Sequence, residues 1–325
     1  MLIPPRVSLA RLPTPLQPLE RLSAEIGVRI WLKRDDVTDT LACGNKLRKL
    51  EYSIGQALED EADVLVTWGG VQSNHCRATA AMAARMGLRS HLLLRGREPD
   101  VPDGNLLLDK VLGAAIDYLD QSAYQQMDET FDQLTRDYAE KGLKTYRIPV
   151  GASDEVGLWG YINCAEELRQ DFESTGISPD AIVSATGSGG TLAGLIIGAA
   201  LSGLESEVLA FNVCDDEAYF LHKISRDFAA WRHRYEAELD PASLPINVID
   251  GFVGPGYGRA APPVFETIRK LAQQEGIVLD PVYTGKAFDA MLQQIRDGRF
   301  SRMSEIVFIH TGGIYGLFPQ KNQLF

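Results

Sequence analysis

Apolar residues along this chain fall into short, nearly unbroken runs, separated by stretches where they recur every three or four positions. The runs are 28–34 (VRIWLKR), 63–68 (DVLVTW), 90–95 (SHLLLR), 145–150 (TYRIPV), 181–185 (AIVSA), 207–213 (EVLAFNV) and 305–310 (EIVFIH). Each has the length and apolar content of a strand buried on both faces. Between them, helical spacing begins after Asn45 (Leu47, Leu50, Ile54) and continues in 74–86, 106–112, 124–141, 156–172 and from Thr191 onward. Strand–helix alternation with almost wholly apolar strands predicts an α/β chain with parallel sheets covered by helices on both faces. At 325 residues the chain exceeds the usual size of one hydrophobic core. The spacing therefore predicts two open, mostly parallel twisted sheets, with the passage between them near 151–160. Residues 1–50 and 156–325 are read as a larger unit, and 51–155 as a smaller one inserted in it.

Ligands of open parallel sheets bind at the carboxyl ends of strands. Three of these strands end unusually: Gly69-Gly70-Val71-Gln72-Ser73-Asn74-His75, Thr186-Gly187-Ser188-Gly189-Gly190-Thr191 and Thr311-Gly312-Gly313. The second opens a helix, where successive backbone N–H groups form an anion-binding concavity. Ser188 and Thr191 add hydroxyl donors, and a phosphate group is the natural ligand. A dinucleotide fingerprint needs a third glycine where Leu192 stands, although Asp215 and Asp216 lie near the distance its acidic residue would occupy. The only Gly-Lys pair, Gly285-Lys286, has the wrong spacing for a P-loop and is followed by Ala287. A tight strand–helix turn using glycine for geometry is the alternative. A compact monophosphate cofactor fits the loop best.

A fourth feature is Lys46, in "LACGNKLRKLE". With Asn45 as helix cap, Lys46 falls in the first helical turn, where the positive end of the dipole disfavours a cation. Such a placement lowers an amine's pKa and improves it as a nucleophile. A lysine at a helix start together with a phosphate cup points to pyridoxal 5′-phosphate held as a Schiff base.

Composition narrows the classes. The chain is 45% hydrophobic and 23% charged, as in ordinary globular proteins. Its formal charge of −12 argues against a nucleic-acid-coating surface and against an anionic membrane. The N-terminal stretch carries prolines where a signal peptide needs an uninterrupted apolar segment, which predicts a cytoplasmic protein. Four scattered cysteines and five scattered histidines show neither disulfide nor metal-ligand spacing, so no metal is expected.

The motifs KRDD (33–36), GNKLRKLE (44–51), QSNH (72–75), TGSGGT (186–191), GPGYG (254–258), LDPVYTGKA (279–287) and FIHTGG (308–313) occur in order over nearly the whole chain. Together they resemble the D-cysteine desulfhydrase and 1-aminocyclopropane-1-carboxylate (ACC) deaminase family, in the fold-type II, tryptophan-synthase-β-like group of pyridoxal-phosphate enzymes. The resemblance implies a homodimer acting on a small amino acid, with the cofactor in the cleft between the domains. It implies that Lys46 is the Schiff-base lysine and moves the proton at Cα, that Lys49 contacts the phosphate bound by Gly187 to Thr191, and that Asn74 bonds the cofactor's ring oxygen. Gln72, Ser73, Asn74 and His75 would surround the substrate carboxylate, with Ser73 close to the reacting carbon. Tyr257 and Tyr283 would act as acid–base or positioning groups.

ACC deaminases carry a glutamate after the tyrosine of DPVY, whereas this chain has Thr284, and Thr311 stands where they typically carry leucine. A hydroxyl partner leaves the pyridine nitrogen largely neutral and the electron sink weaker. That suits β-elimination of a good leaving group, as from D-cysteine, better than opening a cyclopropane ring. Lyases of other β-substituted amino acids such as L-cysteate, amino-acid racemases and non-catalytic cofactor-binding relatives are the alternatives. Cys43, before Gly44, and Trp68, before the QSNH turn, depart from the family pattern and bear on the substrate pocket.

Overall fold

The computed structural model describes residues 1–324. Its ten strands are β1 (Leu16–Pro18), β2 (Arg29–Lys33), β3 (Val64–Gly70), β4 (Arg89–Arg95), β5 (Ala115–Leu119), β6 (Thr145–Arg147), β7 (Ala181–Thr186), β8 (Glu207–Asn212), β9 (Asn247–Ile249) and β10 (Glu305–Ile309). They form a six-stranded sheet, β1-β2-β10-β7-β8-β9, and a four-stranded sheet, β5-β4-β3-β6. All pairs are parallel except β1–β2. The central strands β7 and β10 are buried at every position, because helices cover both faces. No helix among the described residues is long and apolar enough to cross a membrane.

Differences from the sequence reading have local causes. The run at 145–150 pairs only over Thr145–Arg147, since Pro149 offers no N–H and Gly151 turns the chain at positive φ. The helical stretch 124–141 is two helices, Gln121–Gln125 and Met127–Ala139. Strands β1, β5 and β9 escaped the reading because they are short or alternate in burial. The helices Glu217–Tyr235, Pro262–Glu275 and Thr284–Arg296 lie in polar stretches that the strand-centred reading left unassigned.

The KRDD motif is structural. The Arg48 guanidinium, 1% exposed, forks onto Asp35 at 2.7 and 2.8 Å and reaches Glu167 at 2.8 Å. Lys33, also buried, pairs with Glu167 at 2.6 Å and Asp171 at 2.5 Å, and the Tyr161 hydroxyl donates to Asp35. Burial alone would raise the Glu167 carboxyl, yet Arg48 and Lys33 hold it down to about 2. This cluster ties the helix Asn45–Glu59, which carries Lys46, to β2 and to the helix Trp159–Thr175.

Candidate active site

The two sheets direct their carboxyl ends at one cavity of about 1030 Å³. Lys46 reaches it because Gly44, at φ +110°, lets the chain pass against the turn after β10. A Cβ at Gly44 would stand 2.5 Å from Thr311 O, a distance no side chain tolerates. Gly44 is consequently the cap position, and Asn45 is the first helical residue rather than the cap. The Asn45 N–H donates to Thr311 O at 3.1 Å, and its side chain donates to Thr191 Oγ1 at 3.0 Å. One hydrogen bond thus ties the Lys46 helix to β10, the other to the glycine loop.

Lys46 is half-buried, with Nζ 5.9 Å from the centroid of the Tyr283 ring. Burial brings its amine down to about 8, against the opposing pull of Asp280. Desolvation is therefore the leading cause, and Lys46 does stand in the first helical turn, as the sequence predicts. The Tyr283 hydroxyl meets that of Tyr257 at 2.7 Å. Lys286 secures the Tyr257 loop by donating to Val253 O at 2.7 Å and Gly256 O at 2.9 Å.

The glycine loop behaves as a cup. Gly187, Ser188, Gly189 and Thr191 line the cavity, whereas Gly190 lies just behind it. A Cβ on Gly190 would fall 2.5 Å from Ser153 Oγ and 2.8 Å from Lys49 Nζ, so an amine and a hydroxyl stand directly against the loop backbone. Lys49 itself is fully buried, donates to Gly151 O at 3.2 Å and Ser153 Oγ at 3.1 Å, and does not line the cavity. Burial, with Lys46 and Lys223 nearby, holds its amine well below the ordinary lysine value. An anion in the cup would reverse that penalty. Ser153 sits in a loop with no motif and is brought in by the fold alone, whereas Thr186 stands in the 186–191 motif without a role of its own assigned from sequence. Thr186 Oγ1 is buried without a partner at the cavity wall. Its position just before the loop is the one signal that would have found it.

These donors suit a phosphate, and the lysine suits a carbonyl cofactor. Residues 7–312 match the family described as pyridoxal-phosphate dependent enzyme. The chain belongs to the pyridoxal-phosphate dependent enzymes. It is 42% identical over 320 residues to a Thermotoga maritima protein provisionally named a 1-aminocyclopropane-1-carboxylate deaminase, covering 98% of this chain and 99% of that one. It is 38% identical over 319 residues to a D-cysteine desulfhydrase of Klebsiella pneumoniae, covering 97% and 95%. The solved structure of an ACC deaminase homologue superposes with a TM-score of 0.91 at 36% identity, over 99% of this chain and 95% of that one. The fold is accordingly that of the fold-type II enzymes, the cofactor is pyridoxal phosphate, and the chain is a lyase of the D-cysteine desulfhydrase and ACC deaminase family.

Within this pyridoxal-phosphate enzyme, Ser73, Asn74, His75, Tyr257, Tyr283 and Thr311 all line the cavity. Ser73 also caps its helix, accepting from the Cys76 N–H at 3.1 Å. His75 Nε2 lies 2.8 Å from Thr67 Oγ1, whose own hydrogen goes to Ile148 O. Burial and the charges of Lys46 and Lys49 keep the ring neutral. Besides Lys49 and Gly190, two further expected residues do not reach the cavity. The Gln72 side chain turns away to Asp103 O and the Asn105 N–H. Thr284 is 0% exposed, donates to Asp280 Oδ1 at 2.7 Å and accepts from the Asp280 N–H at 2.9 Å. Its hydroxyl is consumed holding Asp280, so of Thr284 and Thr311 only Thr311 lines the cavity. Cys43 is buried outside the lining. Trp68 lines the cavity, packed edge-on against Phe131 at 5.1 Å with Arg147 over its ring at 5.0 Å.

The Lys46 value has a direct consequence. Attachment of pyridoxal phosphate to cofactor-free protein needs the neutral amine, so its rate rises with pH and levels off above about 8. Stopped-flow absorbance reads this; a rate still climbing as for an ordinary exposed lysine would show that burial does not set the amine's state.

Proposed function

We propose that this protein is a β-eliminating lyase acting on D-cysteine or a near relative, releasing sulfide, ammonia and pyruvate. The observation that carries the reading is the chemistry of the wall where β10 and the Tyr283 segment meet the cavity. Thr311, Gly312 and Tyr283 line it there. The nearby carboxylate, Asp280, is fully buried and occupied by the N–H groups of Val282, Tyr283 and Thr284 and by the Thr284 hydroxyl. The acidic lining residues Asp128, Asp154, Glu155, Asp215 and Asp227 come from other segments.

When bound, pyridoxal phosphate supplies an electron sink for the charge that develops at Cα. A hydroxyl rather than a carboxylate at this wall keeps that sink weak, which suits loss of a thiolate from Cβ. Lys46, with its amine near 8, takes the Cα proton as general base. The Ser73 hydroxyl and the N-terminal N–H groups of the helix Asn74–Met86 bind the substrate carboxylate. Tyr283, its hydroxyl held by Tyr257 and its own pKa pushed up by burial, stays protonated and positions the departing side. Lys49, from behind the cup, offsets the phosphate charge, and the Ser153 hydroxyl it is bonded to stands at the cavity wall.

The test is 2-oxo acid release, with products identified by mass, from D-cysteine, L-cysteine and ACC. The expected result is pyruvate from D-cysteine with a kcat/KM at least about 100-fold above the other two. 2-Oxobutanoate from ACC at comparable efficiency would favour the second reading, ACC deaminase, which the name of the Thermotoga relative supports. Deuterium uptake at Cα without any 2-oxo acid would favour a racemase.

A further inference from the structure

Asn105, the second residue of the helix Gly104–Val111, is fully buried and does not line the cavity. Its Nδ2 lies 3.0 Å from Gln72 O and 3.0 Å from Asn74 Oδ1. Its backbone N–H donates to Gln72 Oε1 at 2.9 Å, and Gln72 Nε2 donates to Asp103 O at 3.0 Å. These bonds lock the Gln72–Asn74 turn onto the start of this helix, across more than thirty residues of sequence.

The chemistry of the partners settles which way each amide points. A backbone carbonyl accepts and cannot donate, so Gln72 O requires the nitrogen of Asn105 on that side. That nitrogen has two hydrogens; one goes to Gln72 O and the other to Asn74. Asn74 must then offer its oxygen, and its own nitrogen faces elsewhere. Asn105 Oδ1 then faces the opposite side, where it is buried without a partner. Asn74 lines the cavity, and among the described residues no acceptor takes a hydrogen from its Nδ2.

We propose that Asn105 is a positioning residue that fixes the amide of Asn74 so that the cavity receives an N–H donor instead of a carbonyl oxygen. The proposal rests on the pyridoxal-phosphate reading of the cavity and adds a residue one layer behind it. The ring oxygen of the cofactor is an anionic acceptor. An N–H aimed at it is a charge-assisted hydrogen bond, whereas a flipped carbonyl would repel it. Asn105 acts only through Asn74 and touches neither cofactor nor substrate.

The test compares holoenzyme carrying Asn105→Asp or Asn105→Ala with wild type, Asn74→Ala and the double variants. The readouts are the pH titration of the cofactor's visible absorbance without substrate, and the equilibrium affinity of cofactor-free protein for pyridoxal phosphate. A donor on the ring oxygen draws its charge away from the neighbouring proton. Losing that donor makes the proton harder to remove, and the midpoint moves to higher pH by about one unit in Asn105→Asp. Cofactor affinity falls about tenfold with it. In the Asn74→Ala background the same change at Asn105 moves the midpoint by less than about 0.2 units, because the route is gone. Asn105→Ala serves if the aspartate variant fails to fold. A lowered melting temperature with an unmoved midpoint would reduce Asn105 to a structural residue and overturn the proposal, as would an Asn74→Ala midpoint equal to wild type. Wild-type protein that develops no visible band with pyridoxal phosphate would instead overturn the cofactor reading beneath it.

Discussion

Exchanging Lys46 for alanine lowers 2-oxo acid production by about 10⁴-fold or more, the upper range for a positioned proton-transfer group. It also abolishes the borohydride-fixable attachment of pyridoxal phosphate, read by mass spectrometry of the labelled peptide. The magnitude follows from the site's layout. Among the described residues, Lys46 is the lysine that lines the cavity beside the Tyr283 ring. Lys49 is committed to Gly151 and Ser153 behind the cup, Lys223 to Asp227 and Ser153 O, and Lys286 to the carbonyls of the Tyr257 loop. None of them replaces Lys46 without abandoning those partners. A label found on Lys49 or Lys223 in the wild type would transfer the role and sink the assignment. The fall in activity should be in kcat, since Ser73 and its helix N-terminus, which we propose bind the carboxylate, are untouched.

The largest effect on stability is expected at Arg48. Arg48→Met leaves Asp35, 0% exposed, without its bidentate partner, and removes two hydrogen bonds from Glu167. Breaking one side of a buried ion pair costs about 3–5 kcal/mol, because a charge stays behind in a medium that solvates it poorly. Denaturant unfolding of the cofactor-free protein measures this. Restoring neutrality with Asp35→Asn and Glu167→Gln in the same chain should recover much of the loss, since the penalty comes from the orphaned carboxylates. If Arg48→Met unfolds at the wild-type midpoint, the cluster contributes nothing to anchoring the Lys46 helix. Because that helix carries Lys46, the proposed attachment point, two positions earlier, the variant should also bind pyridoxal phosphate more weakly.

The acid sensitivity of the cluster has a definite sign. Glu167 is held at about 2, below its usual range, so its contribution is full above about 4.5 and is lost as pH falls through 2.

Much of this protein was legible along the chain because its signals are local. Burial on both faces makes the strands of parallel sheets nearly all apolar, so β2, β3, β4, β7, β8 and β10 announced themselves. The cup from Gly187 to Thr191 is a strand–turn–helix written in consecutive residues, and Lys46 sits beside the glycine its helix start requires. Asn45 looked like a cap because helix caps are also local, but here a carbonyl from residue 311 caps the helix instead. Such a partner is invisible to any short window. The same holds for Thr284, whose motif neighbours lead to the cavity wall while its own hydroxyl turns back to Asp280, and for Gln72, which belongs to the helix Gly104–Val111. Sequence by itself determined the class of fold and singled out Lys46 and the Gly187–Thr191 turn as candidates, since each depends on neighbours within a few residues. Tertiary structure alone decided which threonine meets the cavity, which groups stand behind Gly190 and Asn74, and how far burial lowers the Lys46 amine, because these depend on segments that meet only when two sheets close on one another.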